Sequence, residues 1–207
     1  MDKSHKGVRV FENSLLEKFT HVHPITPLVI WTPIVGWLIY RSLTVHQLSI
    51  YVVAAFAVMG LVTWSLAEYL LHRFIFHFNA QGSFQERIQF MIHGLHHVDA
   101  NDPTRLVMPP VAAIVLAVSF YGFFRVIFGP QLVDPFFAFF LVGYLCYDYI
   151  HFSVHHFKPR TRVGKYLKQS HMLHHYVSPH ARWGVSSPLW DYVFGTLEEE
   201  KSKEHAV

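Results

Sequence analysis

The chain has 207 residues, 52% of them hydrophobic and only 15% charged, with a formal net charge of +3. That length allows one domain and little more, and that composition is too apolar for an ordinary soluble domain but suits a polytopic membrane protein. The single cysteine, Cys146, excludes an internal disulfide, an iron–sulfur cluster and a thiolate-rich zinc site.

Residues 1–23 form a polar N-terminal segment without the early apolar stretch of a cleavable signal peptide. Val10, Phe11, Leu15, Leu16 and Phe19 allow a short amphipathic helix at the membrane surface, the alternative being a partly ordered tail. Residues 24–207 are expected to form one membrane-embedded domain. Its first apolar stretch, Pro24–Tyr40, is at the lower limit for a membrane span and contains Pro27 and Pro33. The second, Leu48–Leu71, is long enough and holds one acid, Glu68. The third, Val107–Phe128, opens with Pro109-Pro110, a reasonable helix start. The fourth runs from Leu132 to about Phe152, and a polar, basic segment follows it.

Four spans put the N-terminus, the loop between the second and third stretches, and the C-terminal segment on one side. All but two of the 17 Lys and Arg residues, Arg41 and Arg125, then lie on that side. The excess of positive charge places it in the cytoplasm.

Eleven of the 17 histidines fall in four clusters on that same side. They are His72 and His77; His93, His96 and His97; His151, His155 and His156; and His171, His174 and His175. Imidazole is the commonest metal ligand because it offers a neutral nitrogen lone pair near neutral pH. Residues at i, i+3 and i+4 share a helix face, which suits His93, His96 and His97 as well as His171, His174 and His175. His151 and His155 are one turn apart. His72 and His77 would diverge by about 140° on a regular helix, so they approach a site from different angles or the helix unwinds there. His156 points about 100° away from His155 and is read as a surface or supporting residue. His180 is ambiguous, and His5, His21, His23, His46 and His205 are read as ordinary surface residues. The remaining ten suffice for two metal ions with four to five ligands each, or leave one as a supporting partner. Their partition between the ions stays open.

A site rich in imidazole and free of thiolate suits iron, zinc or copper. Zinc has no redox chemistry and usually takes four ligands. Iron is therefore expected, although zinc could occupy the purified protein. Two adjacent irons can split O2 and take hydrogen from an unactivated C–H bond. A site at the membrane boundary suits a lipid whose head stays at the interface. Metal transport fits poorly, because the spans hold almost no ionisable residues. A non-catalytic metal-binding membrane protein is the alternative outside enzymes.

The runs HRFIFHF, HGLHH, DPTRLVMPP, GYLCYDYIHFSVHH, LKQSHMLHHY and GVSSPLWDYVFGTL occur in this order within residues 50–197. Together they resemble the fatty acid hydroxylase/sterol desaturase superfamily, and within it the fatty acid (sphingolipid) 2-hydroxylases. The resemblance implies an all-α integral membrane protein of four transmembrane helices, with a cytoplasmic histidine-rich helical cap built from residues 72–106 and 151–197. It implies ten ligands to two irons: His72, His77, His93, His96, His97, His151, His155, His171, His174 and His175. Tyr147 and Asp148 match a Tyr-Asp pair before the third cluster. They are the candidate catalytic residues, expected to support the site, with Asp148 accepting an imidazole N–H.

The activity so implied is O2-dependent hydroxylation of carbon 2 of a fatty acyl chain, free or carried in a sphingolipid or other lipid. A sterol or carotenoid hydroxylase or desaturase on the same scaffold is the alternative. Phe74, Phe76, Met108, Trp183 and Trp190 are candidates for an apolar groove between cap and spans. Eukaryotic members of the family often carry an N-terminal cytochrome b5 domain, for which residues 1–23 are expected to leave no room. Electrons are thus expected from a separate protein, cytochrome b5-like or ferredoxin-like, docking on the basic face. The other partners are membrane lipids, in a bacterial inner membrane or an endoplasmic reticulum, and no nucleic acid is expected.

Overall fold

The structure is a computed structural model and describes residues 8–18 and 20–198, without the side chain of Leu16. Every regular element among the described residues is helical. Of the expected N-terminal helix, Ser14–Lys18 is helical (α1); Phe19, His5, His205 and the Leu16 side chain lie outside the description.

Three helices are long and apolar enough to cross a membrane: Thr26–Val45, Ile50–Phe76 and Pro110–His156. The first comprises α2 (Thr26–Tyr40), with a proline in its first turn, and a wider π turn, Arg41–Val45. The second comprises α3 (Ile50–Leu70) and a π turn, Leu71–Phe76. Ser49 caps α3 by accepting the Val52 N–H at 3.3 Å. The third, α6, is one run of 47 residues where two separate helices are expected from hydropathy. Straight, it would extend about 70 Å, more than twice the thickness of the bilayer core. It is not straight, because Gly129 leaves the helical region at φ 75° and ψ 174°. Only glycine takes that conformation without strain, and Pro130 then restarts the helix with no N–H to leave unpaired. The two arms fold back on one another, as the ring pairs Phe124–Phe136 (4.6 Å), Tyr121–Phe137 (5.2 Å) and Phe120–Phe140 (5.2 Å) show.

The second arm is the spine against which α2 and α3 pack. Small residues set how close α3 comes, as is usual where lipid removes the hydrophobic drive for helix association. A methyl group on Gly60 of α3 would sit 2.3 Å from the Phe136 carbonyl oxygen. Gly143 of α6 likewise faces Trp64, whose Cβ would be 2.7 Å from an added methyl. Trp64 in turn meets Phe140 and Tyr144 edge-on at 5.1 and 5.4 Å.

At the end with the α6 break, the buried carboxylate of Asp134 takes a hydrogen bond from Tyr121 at 3.0 Å and faces Arg41 at 3.3 Å and His46 at 3.1 Å. This corrects the reading of His46 as an ordinary surface residue. Its partner lies 88 positions away, brought close only by the hairpin.

The opposite end carries the cap, made of α4 (Ser83–Gln89), a π turn at Phe90–Gly94, α5 (Leu95–Val98), α7 (Arg162–Tyr176) and α8 (Leu189–Phe194). The N-terminal segment docks here too, through Arg105 to Glu17 (2.6 Å), the Val22 N–H to the Thr104 carbonyl (2.7 Å), and Tyr149 to the Pro24 carbonyl (2.6 Å). Lys168 of α7 donates to the Val154 and Phe157 carbonyls at 2.6 and 3.1 Å and so caps the end of α6.

The close contact at Gly60 makes a sharp expectation. Gly60→Ala should destabilise the folded protein by about 1–3 kcal/mol, because backbone faces the new methyl. Gly122→Ala, where nothing lies within 4 Å, should be neutral or stabilising. Thermal unfolding in detergent followed by circular dichroism checks the pair, and equal effects at both positions would contradict the packing described.

Candidate metal centre

The ten histidines converge on two points. His72, His77, His93, His97 and His174 form one group, and His96, His151, His155, His171 and His175 the other. Within each group the potential ligand nitrogens all lie within 4.8 Å of one another. The groups abut through the rings of His97 and His175, stacked at 4.0 Å and 16°.

Local backbone geometry explains the grouping. The π turn Leu71–Phe76 bonds the His77 N–H to the His72 carbonyl at 3.2 Å, five residues back. That wider turn brings the two rings to 5.1 Å, which a regular helix would not. His171 and His175 are nearly aligned on α7, whereas His174 is turned about 60° from His171. Each HxxHH motif is therefore split. His93 and His97 join one group and His96 the other, while His171 and His175 join the second and His174 the first. His156 belongs to neither, its half-buried ring packing on Phe152 at 4.6 Å. His180 is exposed and also outside both, and His21 and His23 are exposed as expected.

The Nε2 atoms within a group approach closely: His72–His93 3.2 Å, His77–His97 3.1 Å, His77–His174 3.2 Å, His96–His151 2.9 Å, His155–His171 2.8 Å and His171–His175 3.0 Å. The His72 Nδ1–H donates to the Trp183 carbonyl at 2.6 Å, and the His174 Nδ1–H to the Ala181 carbonyl at 2.7 Å. Each of those rings is left with a bare lone pair at Nε2. Lone pairs facing each other repel, and protonation is no remedy. Burial, helped by neighbouring imidazoles, pushes His77 down to about 3 and His97 to about 4. Burial holds His174 at about 4 despite the Ala181 carbonyl, and His93, His96, His171 and His175 are pushed down for the same reason. A cation at the centre of each group resolves the conflict. Ligands about 2.1 Å from a metal and at right angles are about 3.0 Å apart, against about 3.4 Å at the tetrahedral angle. The observed spacings match right angles and five nitrogen donors, so the donor set fits a metal of coordination number above four.

The expected supporting residues act differently from their sequence reading. Asp148, 1% exposed, accepts the Tyr144 hydroxyl at 2.9 Å and the Met108 backbone N–H, so an imidazole N–H is not its partner among the described residues. Tyr147 stacks on His151 at 5.7 Å and 20°. Of the candidate groove residues, only Met108 lines the apolar crevice between α2, α3 and α6, together with Trp31, Trp64, Leu71, Phe120 and Tyr144. Phe74 is exposed, Phe76 stacks on His93, Trp183 packs against His72, His77 and His174, and Trp190 donates to Ser65.

The lowered imidazole pKa values carry a stability consequence. Unfolded histidines titrate near 6.5, and these do so only far below. Between those values the unfolded chain binds protons that the folded one does not, so acidification favours unfolding. Chelator-treated protein should keep constant cap stability above about pH 7 and lose it progressively below about pH 6.5. Hydrogen exchange of α7 amides reads this, and a cap that tightens on acidification would contradict it.

Comparison with known proteins agrees with this geometry. Residues 56–196 match the family model described as fatty acid hydroxylase. The chain is 36% identical to a dihydroceramide fatty acyl 2-hydroxylase of Arabidopsis thaliana, over 95% of this chain and 83% of the relative. It is 34% identical to a fatty acid 2-hydroxylase of Rattus norvegicus, over 95% of this chain and 58% of that one. The solved structure of full-length scs7p, in which only the hydroxylase domain is visible, superposes with a TM-score of 0.83 at 35% identity, covering 90% of this chain and 70% of that one. A shared helical scaffold, a match over most of the length and ten clustered histidines lead to one conclusion: the chain belongs to the fatty acid hydroxylase family, as a membrane-type hydroxylase enzyme.

Proposed function

We propose that the protein is a diiron monooxygenase that uses O2 to hydroxylate carbon 2 of a fatty acyl chain, free or carried in a sphingolipid or other lipid. The observation that carries this reading is the pair of abutting five-imidazole groups beside an apolar crevice, in a chain whose relatives are named fatty acyl 2-hydroxylases. The ten histidines are the metal ligands, five to each iron. Five nitrogen donors exceed the four that zinc usually takes, and imidazole suits iron. When bound, the two irons supply O2 activation, removal of one hydrogen beside the carboxyl or amide group, and insertion of one oxygen atom there. The protein's part is to orient rings and substrate. Tyr147 braces the His151 ring. Asp148 fastens Met108, which lines the crevice, and the acyl chain lies along the face formed by Leu71, Met108 and Tyr144.

In this reading the helices make four spans, the two arms of α6 counting as two, and the cap faces the cytoplasm. Among the described residues, every Lys and Arg but Arg41 and Arg125 lies toward the cap end, which supports that orientation. Electrons come from a separate acidic carrier protein, attracted to the cluster of Lys158, Arg160, Arg162 and Lys165 on the cap.

Expression with added iron in a host lacking 2-hydroxy acyl lipids tests the reaction. Lipid mass spectrometry should show acyl chains with one extra oxygen at carbon 2. A His171→Ala His174→Ala double variant, which removes one ligand from each group, should abolish that product. Oxygen at another carbon, or on a sterol, would displace the acyl assignment. Metal analysis tests the ligands separately. His93→Ala and His151→Ala should each lower the content from two irons per chain to about one, and His156→Ala should leave it at two.

A further inference from the structure

Two buried acids outside the histidine groups, Glu68 on α3 and Asp191 on α8, grip the same short segment of chain. Asp191 accepts the Trp183 N–H on Oδ1 at 2.9 Å and the Gly184 N–H on Oδ2 at 2.8 Å. Glu68 Oε1 accepts the next two, from Val185 and Ser186, both at 2.8 Å, while Oε2 takes the Ser186 hydroxyl. Four consecutive backbone N–H groups are thus bound to carboxylates. Burying two acids is costly unless they are fully hydrogen-bonded, and here that cost is met by an irregular segment with no helix or sheet partner of its own. The segment is also tight: a methyl on Gly184 would sit 2.1 Å from the Ser187 carbonyl oxygen. Its other face presents the Ala181 and Trp183 carbonyls to His174 and His72.

We propose that Glu68 and Asp191 are positioning residues for one of the two metal positions only, the one held by His72, His77, His93, His97 and His174. By clamping the Ala181–Ser186 segment, they fix the carbonyls that set the tautomer and ring orientation of His72 and His174. Such outer partners typically change metal affinity by about 10–100-fold. The second position does not depend on this segment. The buried Nδ1 atoms of His96, His151, His171 and His175 have no hydrogen-bond partner among the described residues. The inference rests on the dimetal reading above.

The two acids differ in what they tolerate. Gln at position 68 keeps one oxygen for both backbone N–H groups and can donate its amide to the Ser186 hydroxyl. Asn at position 191 cannot serve, because both carboxylate oxygens accept backbone N–H groups and one would meet an amide donor instead.

Iron-loaded full-length protein in detergent, titrated with a chelator and assayed for metal by mass spectrometry, tests the proposal. Wild type and Glu68→Gln should hold two metals with similar affinity. Glu68→Ala, Asp191→Asn and Gly184→Ala should hold one tightly and bind the other about 10–100-fold more weakly. Combining Glu68→Ala with His93→Ala should add nothing to the loss, whereas combining it with His151→Ala should empty both positions. If Glu68→Ala or Gly184→Ala fails to fold, the contrast between Glu68→Gln and Asp191→Asn decides the matter. Two metals at wild-type affinity in both Glu68→Ala and Asp191→Asn would overturn the clamp. So would equal loss from both positions in a monodisperse variant. A wild type that binds fewer than two metals would instead overturn the dimetal reading, and the clamp with it.

Discussion

Ten imidazoles turned inward, with lone pairs about 3 Å apart, are a state that no protein core holds by packing alone. Each ring must be neutral, must present Nε2, and must be kept from swinging toward water. The rest of the fold follows from that demand. Burial keeps the rings neutral. Two backbone carbonyls fix the tautomer of His72 and His174. The π turn after α3 brings His72 and His77 together across five residues where a regular helix would part them. π turns are uncommon and concentrate at functional sites, and here a five-residue spacing gives the physical reason for one.

The membrane-embedded part serves as an anchor for that centre. α3 approaches the second arm of α6 closely because glycine stands at the contacts, at Gly60 and Gly143. The same arm continues without interruption into His151 and His155, so two histidines of the second group ride on the helix against which α2 and α3 pack. Side chains built on rigid elements keep their geometry better than side chains carried on loops. Apart from His77, which directly follows the π turn at Leu71–Phe76, the irregular segments contribute the Ala181 and Trp183 carbonyls, and the segment that carries them is held by buried acids.

Much of this was legible in the sequence. The apolar stretches, the four histidine clusters and the ten histidines that gather in two groups follow from hydropathy and spacing, and the unwound helix at His72 and His77 is foreshadowed by their misfit with a regular turn. The division of each HxxHH motif between two groups was within reach, because i+3 and i+4 differ in direction on a helix. What spacing could not show was long-range. Asp134 finds His46, Asp148 finds Met108, and Glu68 finds Val185 and Ser186 only once the helices are assembled. The break at Gly129 was hidden for a different reason. Hydropathy shows two apolar runs with a gap, and cannot distinguish a connecting loop from one residue with a positive φ.

That one-residue break bears on how the protein enters a bilayer. The arms of α6 leave the ribosome back to back, joined by a bend with no loop to carry across. Between Arg125 and Asp134 the only other polar side chain is Gln131. Arg41 and His46 belong to an earlier part of the chain and are made before Asp134. The bend thus sets Asp134 against the Arg41 guanidinium and the His46 ring, so a single positive φ joins the α6 hairpin to the helix before it through one buried polar contact.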